Sequence, residues 1–444
     1  MDRIQRHLEN FPLPLVGLAL VVGILVLLLF PKKYALEASI VLTFAWMNIN
    51  RFRNLGEITS IAKVTYWVPL VMVIALSLVR RTPKRHVPPA AWLYLLAPIL
   101  GCMCVATTND ALFGMIQFGN MFMMALTAMC LYRCIDSEQT LYRFILMGLL
   151  GLMVPLGISV VALFFFRYMS IIPGLGRFAP FGINPSQLVP TLALGVSFSA
   201  CTVMIFKSPV VRIFCVAMIG SCLALLLATG SRQGIVACGI VLLPFVLTLA
   251  RRPIALASAA VIALGAAVWT FGFTAGEVST ARLTDFSNTS GRYDIALHYL
   301  DSFAKRPFVG LMGTNDMSVI RDDTASHITH NSYLGILYTG GLLLGVPLLV
   351  ALISSVRSMW IVLLNADRCG IKPVILWALA ALLLAIYSHG LVNDMAYWGV
   401  STWGVMHYFL SCFFMGTARD LRSLAFAPQA QYSVHKGWSY STGH

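Results

Sequence analysis

His330, Asn331, Arg232, Arg292 and Arg177 are the residues whose types and settings could do chemistry in this chain. His330 stands in His330-Asn331-Ser332-Tyr333, where the polar stretch 272–330 gives way to an apolar run. An imidazole titrating near pH 6.5 can take a proton from an attacking hydroxyl at neutral pH. The same ring could equally cap a helix or hydrogen-bond at an interface, and His327 and His389 compete for the role. Asn331 beside it is a candidate substrate contact. Arg232 sits in Gly230-Ser231-Arg232-Gln233-Gly234, a very short turn between two long apolar runs. An arginine at bilayer depth costs roughly 3 kcal/mol or more unless it is paired or bound to a ligand. It therefore calls for a partner, although snorkelling to lipid headgroups is the plainer account.

Ser290-Gly291-Arg292 reads as the start of a helix. Ser290 suits the N-cap, and Asp294 sits in the first turn as the dipole prefers. Free backbone N–H groups, a close-approach glycine and a guanidinium together could hold phosphate; otherwise Arg292 only solvates the helix end. Tyr293, Ala296, Leu297, Leu300, Phe303 and Ala304 recur at helical spacing and form one apolar stripe. Such a helix would lie along the membrane interface or cover a cavity. Arg177 precedes Phe178-Ala179-Pro180-Phe181-Gly182-Ile183-Asn184-Pro185-Ser186 and could contact an anion or a sugar, while Asn184-Pro185 favours a defined turn. Asp110 and Asp394 could orient a base or bind sugar hydroxyls.

The elements that must carry these residues are membrane helices. The chain has 444 residues, 59% hydrophobic and 11% charged, and its mean hydropathy is +0.82. Soluble domains carry roughly 25% charged residues. Apolar runs long enough to cross a core of about 30 Å recur near 12–30, 34–49, 61–79, 90–106, 111–132, 144–166, 189–206, 212–229, 233–250, 254–271, 332–355, 373–389 and 397–416. Barrel-type alternation is absent. The formal charge of +14 is concentrated in short loops: Arg80 to Arg85, Arg133 to Arg143, Lys207 to Arg212, Arg251-Arg252, Arg357 to Lys372 and Arg419 to Arg422. These read as positive-inside anchors, not as a nucleic-acid surface. Placing them in the cytoplasm puts 167–188, 230–234, 272–331 and 389–398 on the outside.

Arg3, Arg6 and His7 also prefer the cytoplasm, so one of the three candidates before residue 80 is not a full crossing. The expected fold is all-α, with about twelve transmembrane helices and one large external loop containing helices. Residues 1–271 hold the N-terminal helices with external turns at 167–188 and 230–234, and 272–331 is the loop. Residues 332–416 hold the C-terminal helices, and 417–444 form a polar cytoplasmic tail. A retained first helix fits better than a cleaved signal peptide.

Ten cysteines lie mostly in apolar runs, which favours buried thiols over disulfides, and no zinc-type spacing occurs. Walker and dinucleotide fingerprints are absent, so no cofactor is expected. A reaction would draw on an already activated substrate, and a membrane-delivered polyprenyl pyrophosphate sugar fits.

Gly230-Ser231-Arg232-Gln233-Gly234, Ser290-Gly291-Arg292, Arg306-Pro307-Phe308-Val309-Gly310-Leu311-Met312-Gly313 and His330-Asn331 followed by Gly341 resemble the O-antigen ligase and polymerase superfamily. The likeness covers most of 176–345. It implies a glycosyltransferase of the bacterial inner membrane with a periplasmic active site. The donor would be an undecaprenyl-pyrophosphate-linked glycan and the ligase's acceptor a hydroxyl of lipid A–core oligosaccharide. Arg232 and Arg292 would bind the pyrophosphate, and His330 would activate the hydroxyl for inverting attack, without a metal. The family's Asn-Pro-Asn turn is Asn184-Pro185-Ser186 here, which puts a side-chain role of Ser186 in doubt. A single dominant loop favours ligase over polymerase. A protein O-oligosaccharyltransferase would add a C-terminal periplasmic region. A lipid-linked glycan transporter would place ionisable residues near the midplane, and a structural scaffold gives no reason for Arg232.

Overall fold

Apolar runs bounded by strong start signals become long helices. Ser137 opens one through a capping box with Thr140, Asn184 and Pro185 open another, and Ser231 and Asn331 cap two more. The structure is a computed structural model. It describes residues 34–79, 85–105, 111–172, 177–250, 292–310, 331–391 and 401–426. In chain order the helices are α1 (Ala35–Ile49), α2 (Glu57–Thr65), α3 (Trp67–Val79), α4 (Leu93–Val105), α5 (Ala111–Cys134), α6 (Glu138–Phe165) and α7 (Pro185–Ile205). They continue as α8 (Pro209–Thr229), α9 (Arg232–Leu249), α10 (Arg292–Lys305), α11 (Ser332–Leu364), α12 (Pro373–Gly390) and α13 (Thr402–Phe426). Between α6 and α7, the two-residue strands β1 (Ile171–Ile172) and β2 (Arg177–Phe178) pair antiparallel, with Ile172 opposite Arg177.

Among the described residues, seven helices are long and apolar enough to cross a membrane: α6 to α9, α11, α12 and Gly114–Cys134 of α5. The protein is thus a multi-pass helical membrane protein. The single run expected at 61–79 is instead two helices, α2 and α3, bent by 45°. The candidates at 12–30 and 254–271 lie outside the described residues.

Burial separates centre from rim. The most apolar window of α7 is 83% buried and that of α9 only 28%, so α7 belongs to the core and α9 to the lipid-facing surface. α12 packs against α7, α9 and α13, and α13 is buried along most of its length through Ala418. Val210 and Ile213 of α8 are more than two-thirds exposed, as apolar side chains facing acyl chains should be.

The two ends of the bundle differ chemically. At one end Arg85 pairs with Asp420 at 2.5 Å and lies over the Tyr132 ring, and its amide donates to the Arg133 carbonyl. At the same end the Lys372 amide donates to Glu138 Oε1 at 3.2 Å, and its ammonium donates to the Met204 carbonyl at 3.4 Å. The loops rich in Lys and Arg therefore meet one another. At the other end the Asn54 amide donates to the Phe181 carbonyl, Arg51 Nη1 to the Gln187 carbonyl and Arg177 Nε to the Thr229 carbonyl.

This segregation is testable by labelling. Cysteine placed at Ser186 in a background lacking exposed thiols is expected to react with a membrane-impermeant maleimide from the face opposite to that which labels cysteine at Lys207. Labelling of both from one face would overturn the two-ended arrangement.

Candidate functional site

The turn between α8 and α9 is built from its backbone outward. α8 ends when Gly230 enters the left-handed region at φ 59°. Ser231 then takes an extended conformation and accepts from the Gly234 amide at 3.4 Å, which caps α9 and makes Arg232 its first residue. Gly234 presses this turn against its neighbours: a Cβ there would fall 2.9 Å from Val189 Cγ2 of α7 and 2.3 Å from Leu226 Cδ1 of α8.

β2 brings Arg177 to the same turn. Its Nε donates to the Thr229 carbonyl at 2.9 Å, and its Cγ passes 3.9 Å from where a Gly230 side chain would begin. The guanidinium satisfies one of the carbonyls that the end of α8 leaves open and complements the negative end of its dipole. Two of the sequence-derived candidates, Arg177 and Arg232, thus share one turn. Both are half-buried.

Arg292 opens α10, and its side chain lies outside the described residues, as do Ser290, His330, His327, Asp110 and Asp394. Asn331 is described. Its Oδ1 accepts from the amides of Tyr333 and Leu334, each at 3.0 Å, so this atom is committed to capping α11.

α11 is broken at Gly341, where φ is 57° and ψ is −153°, a region open to glycine. The backbone after α10 fills the break: the Leu342 amide donates to the Pro307 carbonyl at 2.8 Å and the Leu343 amide to the Phe308 carbonyl at 3.0 Å. Gly310 makes the reciprocal approach, since a Cβ there would sit 2.5 Å from the Tyr338 carbonyl oxygen. These are residues of the Arg306-to-Gly310 segment and of Gly341, and their spacing is that of two backbones locked together.

The break also turns the chain back. Tyr387 of α12 donates from its hydroxyl to Ser355 Oγ at 3.0 Å and accepts at its carbonyl from the Tyr333 hydroxyl at 3.1 Å. Residues 333 and 355 of a straight helix would be about 33 Å apart, further than two tyrosines can span. Residues 332–340 therefore form a separate half-helix docked by Tyr333 against α12, and residues 342–364 alone measure about 34 Å, enough to cross a bilayer core.

α10 packs on that half-helix through Tyr299, whose ring meets Tyr338 at 4.1 Å. The apolar stripe expected from Tyr293 to Ala304 is rotated. Tyr299 is the buried residue, while Leu297 and Leu300 are nearly half exposed. The docked face runs through Ala296, Tyr299 and Phe303, about 100° round the helix from Leu297, Leu300 and Ala304.

A second polar group lies on the other face of α7's first turn. Asn48 Oδ1 accepts from Thr191 Oγ1 at 2.7 Å and from Thr402 Oγ1 at 3.4 Å. Arg51 binds the Gln187 carbonyl at 3.1 Å. His389, 1% exposed, packs edge-on against Trp403 with ring centroids 5.7 Å apart, and Thr402, next to Trp403, binds Asn48, three residues before Arg51. Among the described residues both ring nitrogens of His389 and the Trp403 Nε1 are buried without a hydrogen-bond partner. Sequence reasoning named His389 only as a rival to His330 and passed over Arg51. The signal for Arg51 was its loop between two apolar runs, which becomes informative only once that loop is known to join 177–187. No group of acids, histidines and cysteines able to hold a metal occurs among the described residues.

No protein-family model matches the chain, and no curated protein matches it.

Substitutions at Gly341 and Asn331 test this arrangement. Gly341→Ala would put a Cβ 2.5 Å from the Phe308 carbonyl in a backbone region closed to alanine, for a loss of at least ~2 kcal/mol. It is expected to lower the melting temperature by several degrees and to open the Arg292–Lys305 region to protease. Gly119→Ala, with open space around it, should do neither. Asn331→Ala should cost about 1 kcal/mol of stability and Asn331→Asp almost none. Equal melting of the two variants would remove the capping role.

Proposed function

We propose that this protein is a glycosyltransferase of the bacterial inner membrane, working at the periplasmic face. In this reading it moves a glycan from undecaprenyl pyrophosphate to a hydroxyl of lipid A–core oligosaccharide, as the resemblance to the O-antigen ligase and polymerase superfamily implies. The observation that carries the reading is the meeting of Arg177 and Arg232 at one turn, at the end of the bundle opposite the basic anchors. A cation there runs against the usual charge distribution of membrane proteins, and two beside one turn suit a diphosphate. Arginine's planar fork is the side chain best matched to phosphate oxygens.

In the proposed reaction His330 takes the proton of the acceptor hydroxyl. The hydroxyl oxygen attacks the anomeric carbon from the face opposite the leaving group and forms the new glycosidic bond. The bond from that carbon to the phosphate oxygen breaks, and its electron pair leaves with undecaprenyl pyrophosphate. Arg232 and Arg292 stabilise the charge that grows on the leaving oxygen, Arg177 holds the turn that presents Arg232 and adds a second positive charge beside the diphosphate, and Asn331 fixes the start of the half-helix next to His330. The break in α11 at Gly341 favours one second reading, a lipid-linked glycan transporter, because discontinuous helices often line transport sites.

The test is transfer by the purified full chain in nanodiscs given lipid-linked glycan and core lipopolysaccharide. Ligated product is expected. His330→Ala is expected to lose at least ~100-fold in rate, and Arg232→Gln a similar factor with a raised KM for the donor. Lengthening of the lipid-linked glycan without ligation would convert the assignment to polymerase. Movement of a labelled donor between leaflets with no transfer would replace the enzyme by a transporter.

A further inference from the structure

We propose that His389, Trp403 and Arg51 form a second subsite at this end of the bundle, one that takes a phosphate oxygen. Two buried side chains with ring nitrogens pack edge to face with centroids 5.7 Å apart, and among the described residues the ring nitrogens of neither have a hydrogen-bond partner. A buried polar group left unpaired costs roughly 1–3 kcal/mol, so two adjacent ones mark a place where something else binds.

The chemistry of that partner is constrained. An indole Nε1 only donates, so the partner must accept. Arg51, three residues on from the Asn48 that binds Thr402, brings positive charge to this end, and the N-terminus of α7, where Arg51 grips Gln187, adds its positive dipole end. An acceptor in a positive setting is an anionic oxygen. His389 can donate from one nitrogen, and Arg51, the most exposed of the three, marks the side from which the rest of the ligand approaches.

α7 links this subsite to the first one. Its opening turn contacts Arg51 through Gln187 and the Arg232 turn through Val189, two residues on. The shared chemistry is a phosphate oxygen, which free pyrophosphate, a polyprenyl diphosphate or an anionic lipid headgroup could each present. Its identification with the donor's diphosphate rests on the proposed function.

The experiment follows the Trp403 indole N–H by NMR in the full chain, labelled with ¹⁵N-tryptophan and held in phosphatidylcholine nanodiscs, with Trp403→Phe to assign the resonance. Sodium pyrophosphate, a polyprenyl diphosphate and discs containing phosphatidylglycerol are the three probes. A saturable downfield shift with pyrophosphate or the polyprenyl diphosphate is expected, and Trp403→Phe and His389→Asn should each weaken binding about 10-fold when the same probes are titrated calorimetrically. A shift with phosphatidylglycerol alone would assign the subsite to a headgroup. A resonance unmoved by all three probes, or both variants binding within twofold of wild type, would overturn the proposal and leave the space to water. If Trp403→Phe fails to fold, His389→Asn identifies the resonance through its neighbouring ring. A shift without glycan transfer would keep the subsite and remove the transferase reading; transfer without a shift would do the reverse.

Discussion

A backbone that stops being helical near a bilayer must find partners for the N–H and C=O groups it releases, because lipid offers none. α11 meets this demand at Gly341 by borrowing the carbonyls of Pro307 and Phe308. Much of the candidate region depends on that exchange. It anchors the end of α10, whose Tyr299 then closes on Tyr338. It lets residues 332–340 turn away from the membrane-crossing part of α11, so that Tyr333 reaches α12. It also sets where Asn331 lies, and with it the chain position immediately after His330. Glycine is required on both sides, since at Gly310 and at Gly341 the opposing backbone occupies the volume a Cβ would need.

Charge then distinguishes the two ends of the bundle. Arg85, Lys372 and their partners gather at one end with the acids Glu138 and Asp420 among them. Arg51, Arg177 and Arg232 gather at the other around the first turns of α7 and α9. The first group needs no special account, because basic loops on one side are what fixes the orientation of a membrane protein. The second group does, because those cations oppose that bias. Arg177 finds part of its compensation in the Thr229 carbonyl, to which its Nε donates.

The sequence was most legible where length and hydropathy decide. The apolar runs at 144–166, 189–206, 212–229, 233–250 and 373–389 each match one helix to within a residue at its C-terminal end, since burying backbone groups in lipid leaves a long apolar run little choice. It was less legible where a helix bends. The 45° break between α2 and α3 falls where Pro69 cannot donate to the Thr65 carbonyl, a signal that a reading by hydropathy alone passes over, and the bend at Gly341 depends on a carbonyl pair more than thirty positions earlier. The stripe on α10 was displaced because helical periodicity reports that a face is apolar, and Tyr299 was preferred over Leu297 and Leu300 by a partner, Tyr338, that periodicity does not contain. In the candidate site, Arg232 and Arg177 were each visible as cations on the wrong side, but their sharing of a turn was not, because β1 and β2 are only two residues long. Arg51 was hidden by the undecided topology of the N-terminal runs.

The distribution of polar groups also bears on which kind of protein this is. A transporter needs a path, so its ionisable groups extend toward the midplane along helices that can separate. Here the helices at the centre, α7, α12 and α13, are the most completely buried ones. The histidine deepest among them, His407, is enclosed by the rings of Tyr94, Tyr387 and Tyr408 at 4.9–5.5 Å. Aromatic packing of that density resists the opening a path requires. The described Lys, Arg, Asp and Glu side chains of the spanning helices lie within about two turns of a helix end. A closely packed centre with its cations displayed at one end fits the transferase proposed above better than the transporter.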